Sequence, residues 1–439
     1  MKMKILIWDD FPKTNTGGPS GYIYNVYEHL KKHPNNQITF LSQLKDSLEK
    51  INNNQSENNY VNKQSYNNDT TQIQNLYKYL DNSNNKIIKL SLTVYHFLKR
   101  IIKNLFLRYK SRLSKIKNFT DRQFNEPFPE KIDVEILNAY DYIHFHLVSQ
   151  FSRFVATYPK YKSKTILTSH CPCSNVDEQL NSEKKWMKLF RSFALKNECK
   201  AYQKCDYLMF PCEEALEPYF KVNKIRKVLI SRKNNIFFVP TAILDIQPHY
   251  DYYNKGNLGI PLDGFIITFF GRHNKIKGYD LLKTAGCRLL NNYPNCTIIC
   301  AGKGDIKPPK HERWIELGFV NNVNDYLSIS DLHVIPNIET YFDIATLEAL
   351  RAGKNVLLSK TGGNKYFINK HKDNISGIRF FNINNIDSLY SSLEKAIIDK
   401  QTNIEKYKQE GNNNRSFFLN YFNMSKYINT YIEQIYALK

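Results

Sequence analysis

No stretch of the 439 residues approaches the roughly 20 consecutive apolar residues that a membrane-spanning helix needs. The short apolar run from Met1 to Trp8 reaches Asp9 and Asp10 without a long hydrophobic region or a cleavage site. It reads as a first strand and not as a signal peptide, so the expected location is the cytoplasm. Paired cysteines are missing too. The eight cysteines (Cys171, Cys173, Cys199, Cys205, Cys212, Cys287, Cys296 and Cys300) show no Cys-x-x-Cys spacing. Cys171 and Cys173 lie near His170 but have no second ligand pair, so reduced, buried thiols are expected and no metal. Acidic residues are scarce, with 41 Asp and Glu against 62 Lys and Arg, and the resulting charge of +21 attracts phosphates, nucleic acid or an anionic membrane. No helix-turn-helix, zinc-finger or aromatic-basic RNA motif accompanies that charge, which argues against a nucleic-acid partner.

Apolar material is plentiful, 42% of residues with 14% aromatic, so the chain can bury real cores, and its length suggests two or three domains at roughly 100 to 200 residues each. Apolar runs at Phe265 to Phe270, Thr297 to Ala301, Leu332 to Pro336, Asn355 to Ser359 and Ile378 to Phe381 alternate with helix-like stretches at Gly278 to Leu290, Ile344 to Arg351 and Ile386 to Ile398. That alternation predicts βαβ units around a parallel sheet. The first third repeats it, with strands at Lys4 to Trp8, Gln37 to Ser42, Tyr142 to Phe145 and Thr165 to Ser169 and a helix from Gly21 to Lys32. The expected class is therefore α/β, with two doubly wound, Rossmann-like domains: residues 1–243, then 244–415, linked near Pro240 to Asp263 where Pro, Gly, Asn and Tyr gather. Ser416 to Lys439 has apolar residues at spacings of three and four and predicts a final helix that crosses back to the first domain.

An insertion at about residues 46–120 interrupts the first domain. From Asp46 to Asn85 it is polar and rich in Asn, with too little apolar content for a core, which suggests a mobile segment. From Leu92 to Lys117, by contrast, Leu98, Ile102, Leu105, Tyr109, Leu113 and Ile116 form a helical stripe among eight cations (Lys99, Arg100, Lys103, Arg108, Lys110, Arg112, Lys115 and Lys117), with no Asp or Glu. Such a basic amphipathic helix suits an anionic bilayer surface, although a helix packed on its own domain with solvated charges has the same pattern.

Chemistry concentrates at strand exits. Gly271, Arg272 and His273 to Gly278 follow one strand and precede a helix, offering backbone donors, the cations Arg272 and Lys277 and a helix N-terminus to a polyphosphate. Both cations are expected on exposed positions. A second glycine-rich exit, Ala301 to Asp305, includes Gly302. Further on, Asn337 to Leu350 follows a strand and opens a helix, placing Glu339, Thr340, Phe342, Asp343, Ile344 and Glu348 where carboxylates and helical amides can hold sugar hydroxyls and phosphate.

In order, Gly271-Arg272 with Lys277-Gly278, Ala301-Gly302-Lys303-Gly304, Leu347-Glu348-Ala349-Leu350 with Gly353, and Ser359-Lys360-Thr361-Gly362-Gly363 make the chain resemble the retaining glycosyltransferases of family 4, glycosyl transferases group 1. The resemblance implies a GT-B fold, two Rossmann-like domains facing a central cleft. It also implies transfer of a sugar, with retention, from a nucleotide-diphosphate sugar to a hydroxyl of a glycan or lipid-linked acceptor, in surface polysaccharide or glycolipid synthesis. The nucleotide sugar is the donor substrate and no cofactor is expected. Gly17 and Gly18, in Gly17-Gly18-Pro19-Ser20-Gly21, match the family's loop facing donor and acceptor, and His170, in Thr168-Ser169-His170, matches its strand-end histidine beside the transferred sugar. A structural histidine is the other reading of His170, and the preferred one for His144 and His146. Arg272 and Lys277 are implied to stabilise the leaving diphosphate, and Glu348 to bind the ribose. The family's paired glutamates enclose seven residues. Here Glu339 and Glu348 enclose eight and the matching position is Thr340, so the first-glutamate role stays open between Glu339 and Thr340. The chain has no Asp-x-Asp triplet, which with Arg272 and Lys277 implies catalysis without a metal. With the basic helix, the implied place is the inner face of the cytoplasmic membrane. A nucleotide-sugar epimerase of the same fold and a basic nucleic-acid-binding protein are the alternatives.

Overall fold

A computed structural model of the chain describes residues 2–10, 13–14, 18–53, 103–104, 107–116, 118, 124, 126–129, 131–181, 188, 190–246, 258–261 and 263–438. Two compact units emerge: residues 43–126, and the rest of the chain, residues 1–42 with 127–439.

The larger unit is built on two six-stranded parallel sheets. The first has the order β2-β1-β3-β4-β5-β6, with β1 Ile5–Trp8, β2 Ile38–Phe40, β3 Tyr142–Phe145, β4 Lys164–Leu167, β5 Tyr207–Phe210 and β6 Ile236–Phe238. The second has the order β12-β11-β10-β7-β8-β9, with β7 Phe265–Phe270, β8 Cys296–Ala301, β9 Trp314–Glu316, β10 Leu332–Ile335, β11 Asn355–Ser359 and β12 Ile378–Phe381. Helices cover both faces, so strands such as β8 and β11 are buried along their whole length, which is why they read as unbroken apolar runs. In each sheet the order reverses beside the strand that begins it, between β1 and β3 and between β7 and β10. Two neighbouring chain exits diverge there and leave a crevice at the carboxyl ends of the strands.

Helices begin where side chains satisfy their first amides. Asp343 accepts from Ala345 N–H at the start of Ile344–Arg351, and Asn385 accepts from Ser388 N–H at the start of Ile386–Thr402. The helix Tyr279–Asn292 buries Tyr279, Leu282, Ala285, Leu289 and Leu290 on the second sheet at helical spacing.

Two expectations change. The helix Leu41–Asn53 runs into the segment read as mobile from Asp46, because Leu41, Leu44, Leu48 and Ile51 keep helical spacing through its first residues. The remainder, 54–85, lies outside the described residues, as do 247–257 of the linker. The final segment is not one helix. It divides into Ile404–Tyr421 and Met424–Tyr436, because Asn423 turns out of the helix and accepts from Lys426 N–H at 3.0 Å, capping a new one.

Met424–Tyr436 shares a core with the first sheet, where Met424, Tyr427, Ile428, Tyr431 and Ile435 pack among Met3, Ile5, Tyr22, Ile23 and Val26. Its Tyr431 hydroxyl lies 2.8 Å from His144 Nδ1, and Tyr427 bonds the Tyr22 hydroxyl. Beside this helix, Ile243 forms a parallel bridge with Asn423 and donates its N–H to Phe422 O at 3.2 Å. Arg415 forks onto Asp245 at 2.5 and 2.8 Å, and Arg351 donates to Leu244 O at 2.7 Å.

Ile435 is fully buried in this core. Ile435→Ala should therefore cost about 2–5 kcal/mol, as buried aliphatic truncations do. Tyr431→Phe should cost about 1–3 kcal/mol, because it leaves His144 Nδ1 buried and unpaired. Urea unfolding followed by fluorescence checks both, and an Ile435→Ala protein as stable as wild type would mean the helix is not part of the first sheet's core.

Candidate active site

The crevice between the exits of β7 and β10 gathers most of the residues singled out in the sequence. The β7 exit presses through glycines against the β8 exit on one side and the β10 exit on the other. Gly302 has φ +142°, and a Cβ there would fall 1.9 Å from Gly271 O, while a Cβ on Gly278, at φ +65°, would fall 1.8 Å from Pro336 O. Larger side chains would push these loops apart.

Asp343 ties the crevice together. It accepts from Lys277 Nζ at 2.5 Å, from Asn337 Nδ2 at 2.6 Å and from Ala345 N–H at 3.2 Å. Burial works to raise its carboxyl, but Lys277, helped by these hydrogen bonds, holds it below its ordinary range. Lys277 is therefore not the exposed cation expected, since about three quarters of its side chain is covered and it anchors Asp343. Arg272 does stand exposed, with Nη2 3.2 Å from Glu178 Oε1 on the helix Asn175–Asn181.

Glu348, one turn into the helix Ile344–Arg351, is half-buried, and its carboxylate has no hydrogen-bond or ion-pair partner among the described residues. Burial pushes it up to about 7, with Arg351 acting against the shift and Asp343 adding to it. Thr340 and Phe342 turn inward. Thr340 is buried, and Phe342 packs on Tyr366, Phe367 and Phe422, so backbone groups are what these two can offer a ligand. Ile344 supplies the first residue of the helix N-terminus. Glu339 is about three quarters covered but, unlike Thr340, faces a cavity. It pairs with Lys221 at 2.9 Å and lines a cavity of about 510 Å³ that also touches Cys173, Asp177, Arg191 and Lys275.

From the first sheet, Gly18 begins the helix Gly18–Lys32 at φ +61°, and Gly17 lies outside the described residues. His170, three residues past β4, is half-buried. Its Nε2 is 2.9 Å from His146 Nδ1, and its ring is 6.1 Å from that of Tyr341 in the β10 exit loop. Burial depresses His170 to about 3, so the ring is neutral. The same burial raises the Cys171 and Cys173 thiols and keeps them protonated. Among the described residues no three His, Cys, Asp or Glu side chains gather as metal donors.

Sequence reasoning missed Asn337, Glu178 and Lys221. Asn337 had a signal, a polar residue directly after an apolar strand. Glu178 and Lys221 had none, because each meets its partner 94 and 118 residues away in the chain.

Comparison with known proteins agrees with this arrangement. Residues 264–399 match the family described as Glycosyl transferases group 1, and the chain carries that domain there. Among curated relatives, an uncharacterised glycosyltransferase of Methanocaldococcus jannaschii is 29% identical over 33% of this chain and 39% of its own length. The UDP-Gal:alpha-D-GlcNAc-diphosphoundecaprenol alpha-1,3-galactosyltransferase of Escherichia coli is 24% identical over 44% and 51%. The lipopolysaccharide 1,2-N-acetylglucosaminetransferase of Salmonella typhimurium is 23% identical over 63% and 79%. The matches thus span about two fifths and one half of the first two relatives. Among solved structures, Anabaena HepE in complex with UDP and glucose superposes with a TM-score of 0.58 at 13% identity, over 99% of this chain and 100% of that one. Sucrose-phosphate synthase from Thermosynechococcus elongatus gives 0.52 at 16%, over 70% and 78%. The fold is GT-B.

The raised Glu348 carboxyl makes stability depend on pH. Below its unfolded value near 4.3 the group is neutral in both states, and as pH rises through about 7 the folded protein must carry a buried charge. Glu348→Gln should leave the melting temperature unchanged at pH 4 and raise it by a few degrees at pH 8. Calorimetry at the two pH values checks this, and an equal effect at both would place the Glu348 carboxylate in solvent.

Proposed function

We propose that the chain, carrying a Glycosyl transferases group 1 domain on a GT-B fold, is a glycosyltransferase. It moves a sugar from a nucleoside-diphosphate sugar to a hydroxyl of a glycan or lipid-linked acceptor, with retention at the anomeric carbon and without a bound metal. The observation that carries the reading is the crevice between β7 and β10, where Arg272, Lys277 and the N-terminus of Ile344–Arg351 stand within one set of hydrogen-bonded loops, with Glu348 one turn behind. The relatives in Escherichia coli and Salmonella typhimurium support a lipid-linked or lipopolysaccharide-type acceptor.

In this reading the diphosphate lies against Arg272 and the helix amides, with Lys277 fixed beside them by Asp343. The half-buried Glu348 accepts the ribose hydroxyls. His170 and Glu339 flank the transferred sugar from the two sides of the cleft. The bond between the anomeric carbon and the phosphate oxygen breaks while the acceptor oxygen bonds the same face, and the departing phosphate takes the acceptor proton. The charge that develops on the diphosphate is what Arg272 and the helix N-terminus stabilise. Absence of an Asp-x-Asp triplet together with these donors supports the metal-free form.

A peripheral place on an anionic membrane belongs to the same proposal. Within the described part of the basic stretch, Leu107, Tyr109 and Leu113 are 52%, 59% and 43% exposed, interleaved with Lys103, Arg108, Lys110, Arg112 and Lys115. Apolar residues interleaved with cations and without an acid suit a surface-seeking helix. Residues 92–102, 105–106 and 117 of that stretch lie outside the described residues.

A panel of nucleotide sugars with lipid-linked and soluble acceptors tests the reaction. Transfer should survive EDTA, and Arg272→Ala should lose at least about 2 kcal/mol of transition-state stabilisation with the melting temperature held. Near-normal turnover by that variant, or activity that returns only with Mg²⁺ or Mn²⁺, would overturn the corresponding part of the mechanism.

Liposome flotation tests the membrane. Binding should require anionic lipid and fade as salt rises, and replacing Lys103, Arg108, Lys110 and Lys115 with Gln should weaken it by about 1 kcal/mol per charge at most. Indifference to anionic liposomes at low salt would remove the membrane from the proposal.

A further inference from the structure

Behind His170 lies a buried cluster that the reaction above does not use. His144 and His146 project from the end of β3 and are both fully buried, with ring centroids 4.1 Å apart. His144 is tied at both nitrogens, Nδ1 to Tyr431 Oη and Nε2 to Thr168 Oγ1, each at 2.8 Å. The ring of Tyr22 packs against His146 at 5.2 Å and His170 at 4.8 Å, and its own hydroxyl is held by Tyr427. The rings of His146 and His170 therefore cannot turn freely, and their single mutual contact, Nδ1 of His146 to Nε2 of His170 at 2.9 Å, is fixed in place.

That contact holds one proton between two neutral rings. Burial depresses both histidines well below their ordinary range, so neither carries a second proton at neutral pH. Two arrangements satisfy it. Either His146 Nδ1–H donates to His170 Nε2, which leaves the proton of His170 on Nδ1, or His170 Nε2–H donates to His146 Nδ1, which puts the proton of His146 on Nε2. The other end of His146 decides between them. His146 Nε2 is buried and has no partner among the described residues. The second arrangement strands an N–H donor there, whereas the first strands only a lone pair, and buried orphan N–H groups are the rarer defect in folded proteins.

We propose that His146 is a positioning residue that fixes His170 with its proton on Nδ1, so that His170 faces the cleft as a hydrogen-bond donor and not as a base. His170 Nδ1 has no hydrogen bond among the described residues and is not among the buried unpaired atoms, so its N–H is available to a ligand. What it donates to, an oxygen of the transferred sugar, rests on the glycosyltransferase reading. The position of the proton does not. His146 thus does for His170 what an outer-shell partner does for a ligating histidine: it sets which nitrogen carries the hydrogen.

Nitrogen NMR of ¹⁵N-histidine-labelled protein, with His170 assigned by its loss in His170→Asn, reads the proton position without any activity. The expected spectrum has His170 protonated on Nδ1. A proton on Nε2 overturns the proposal. Among variants, His146→Asn retains an N–H at the position of Nδ1 that can reach His170 Nε2 and should keep both the Nδ1–H form and turnover. His146→Phe cannot donate, so the His170 Nε2 resonance should move to that of a nitrogen without a hydrogen bond as the ring is freed, with a roughly tenfold fall in kcat, the scale of losing an outer-shell partner. Unchanged kcat in His146→Phe despite the lost hydrogen bond overturns the functional role. Should the wild-type protein transfer no sugar at all, the spectrum still decides the proton, so the two readings fail separately.

Discussion

Asp343 must stay ionised in a place that works against its charge, and the arrangement of the crevice follows from how it does so. Its three donors come from three different segments: Lys277 from the loop after β7, Asn337 from the exit of β10, and Ala345 from the helix that follows. A carboxylate deprived of water needs every one of them, because a buried charge left short of partners is destabilising by several kcal/mol. Loop spacing, helix start and cation position are thereby fixed by a single group. The glycines serve the same end, since Gly278 lets the β7 loop lie against Pro336 closely enough for Lys277 to reach.

Much of this was legible because parallel strands buried on both faces leave a plain trace. Each of the five apolar runs read in the second half corresponds to a strand within a residue of the expected bounds. Strands β5 and β6 were missed although each carries a short apolar run, Tyr207 to Phe210 and Ile236 to Val239, which by itself does not separate strand from buried helix. Strand β9 left no trace, because Trp314-Ile315-Glu316 is three residues at a sheet edge, with neither a run nor an alternation long enough to count. The break at Phe422 was hidden for a different reason. The apolar spacing continues across it, so periodicity alone reports one helix where the cap at Asn423 makes two.

Site residues divided along similar lines. Arg272, Lys277, Asp343 and Glu348 lie in short stretches beside strand exits, where local pattern indicates position. Their partners were another matter. The sequence showed Lys277 as a cation but not that Asp343 would claim it, and gave no hint that Glu178 would sit against Arg272 or Lys221 against Glu339, because those contacts join distant segments. His144 and His146 were read as structural, and both are indeed fully buried. What the strand pattern could not reveal is that one of them meets His170.

The chain passes between its two sheets twice, once near Ile243 and once near Phe422, and these passages run side by side, joined by a backbone bridge and by Ile243 N–H to Phe422 O. The bridge, that hydrogen bond and the Arg415 fork on Asp245 tie the two passages to each other, so neither can shift alone. The same two halves meet again through Arg272 with Glu178 and Lys221 with Glu339, ion pairs with exposed cations that cost little to break. One seam is therefore lasting and the other is easily exchanged for a ligand's charges.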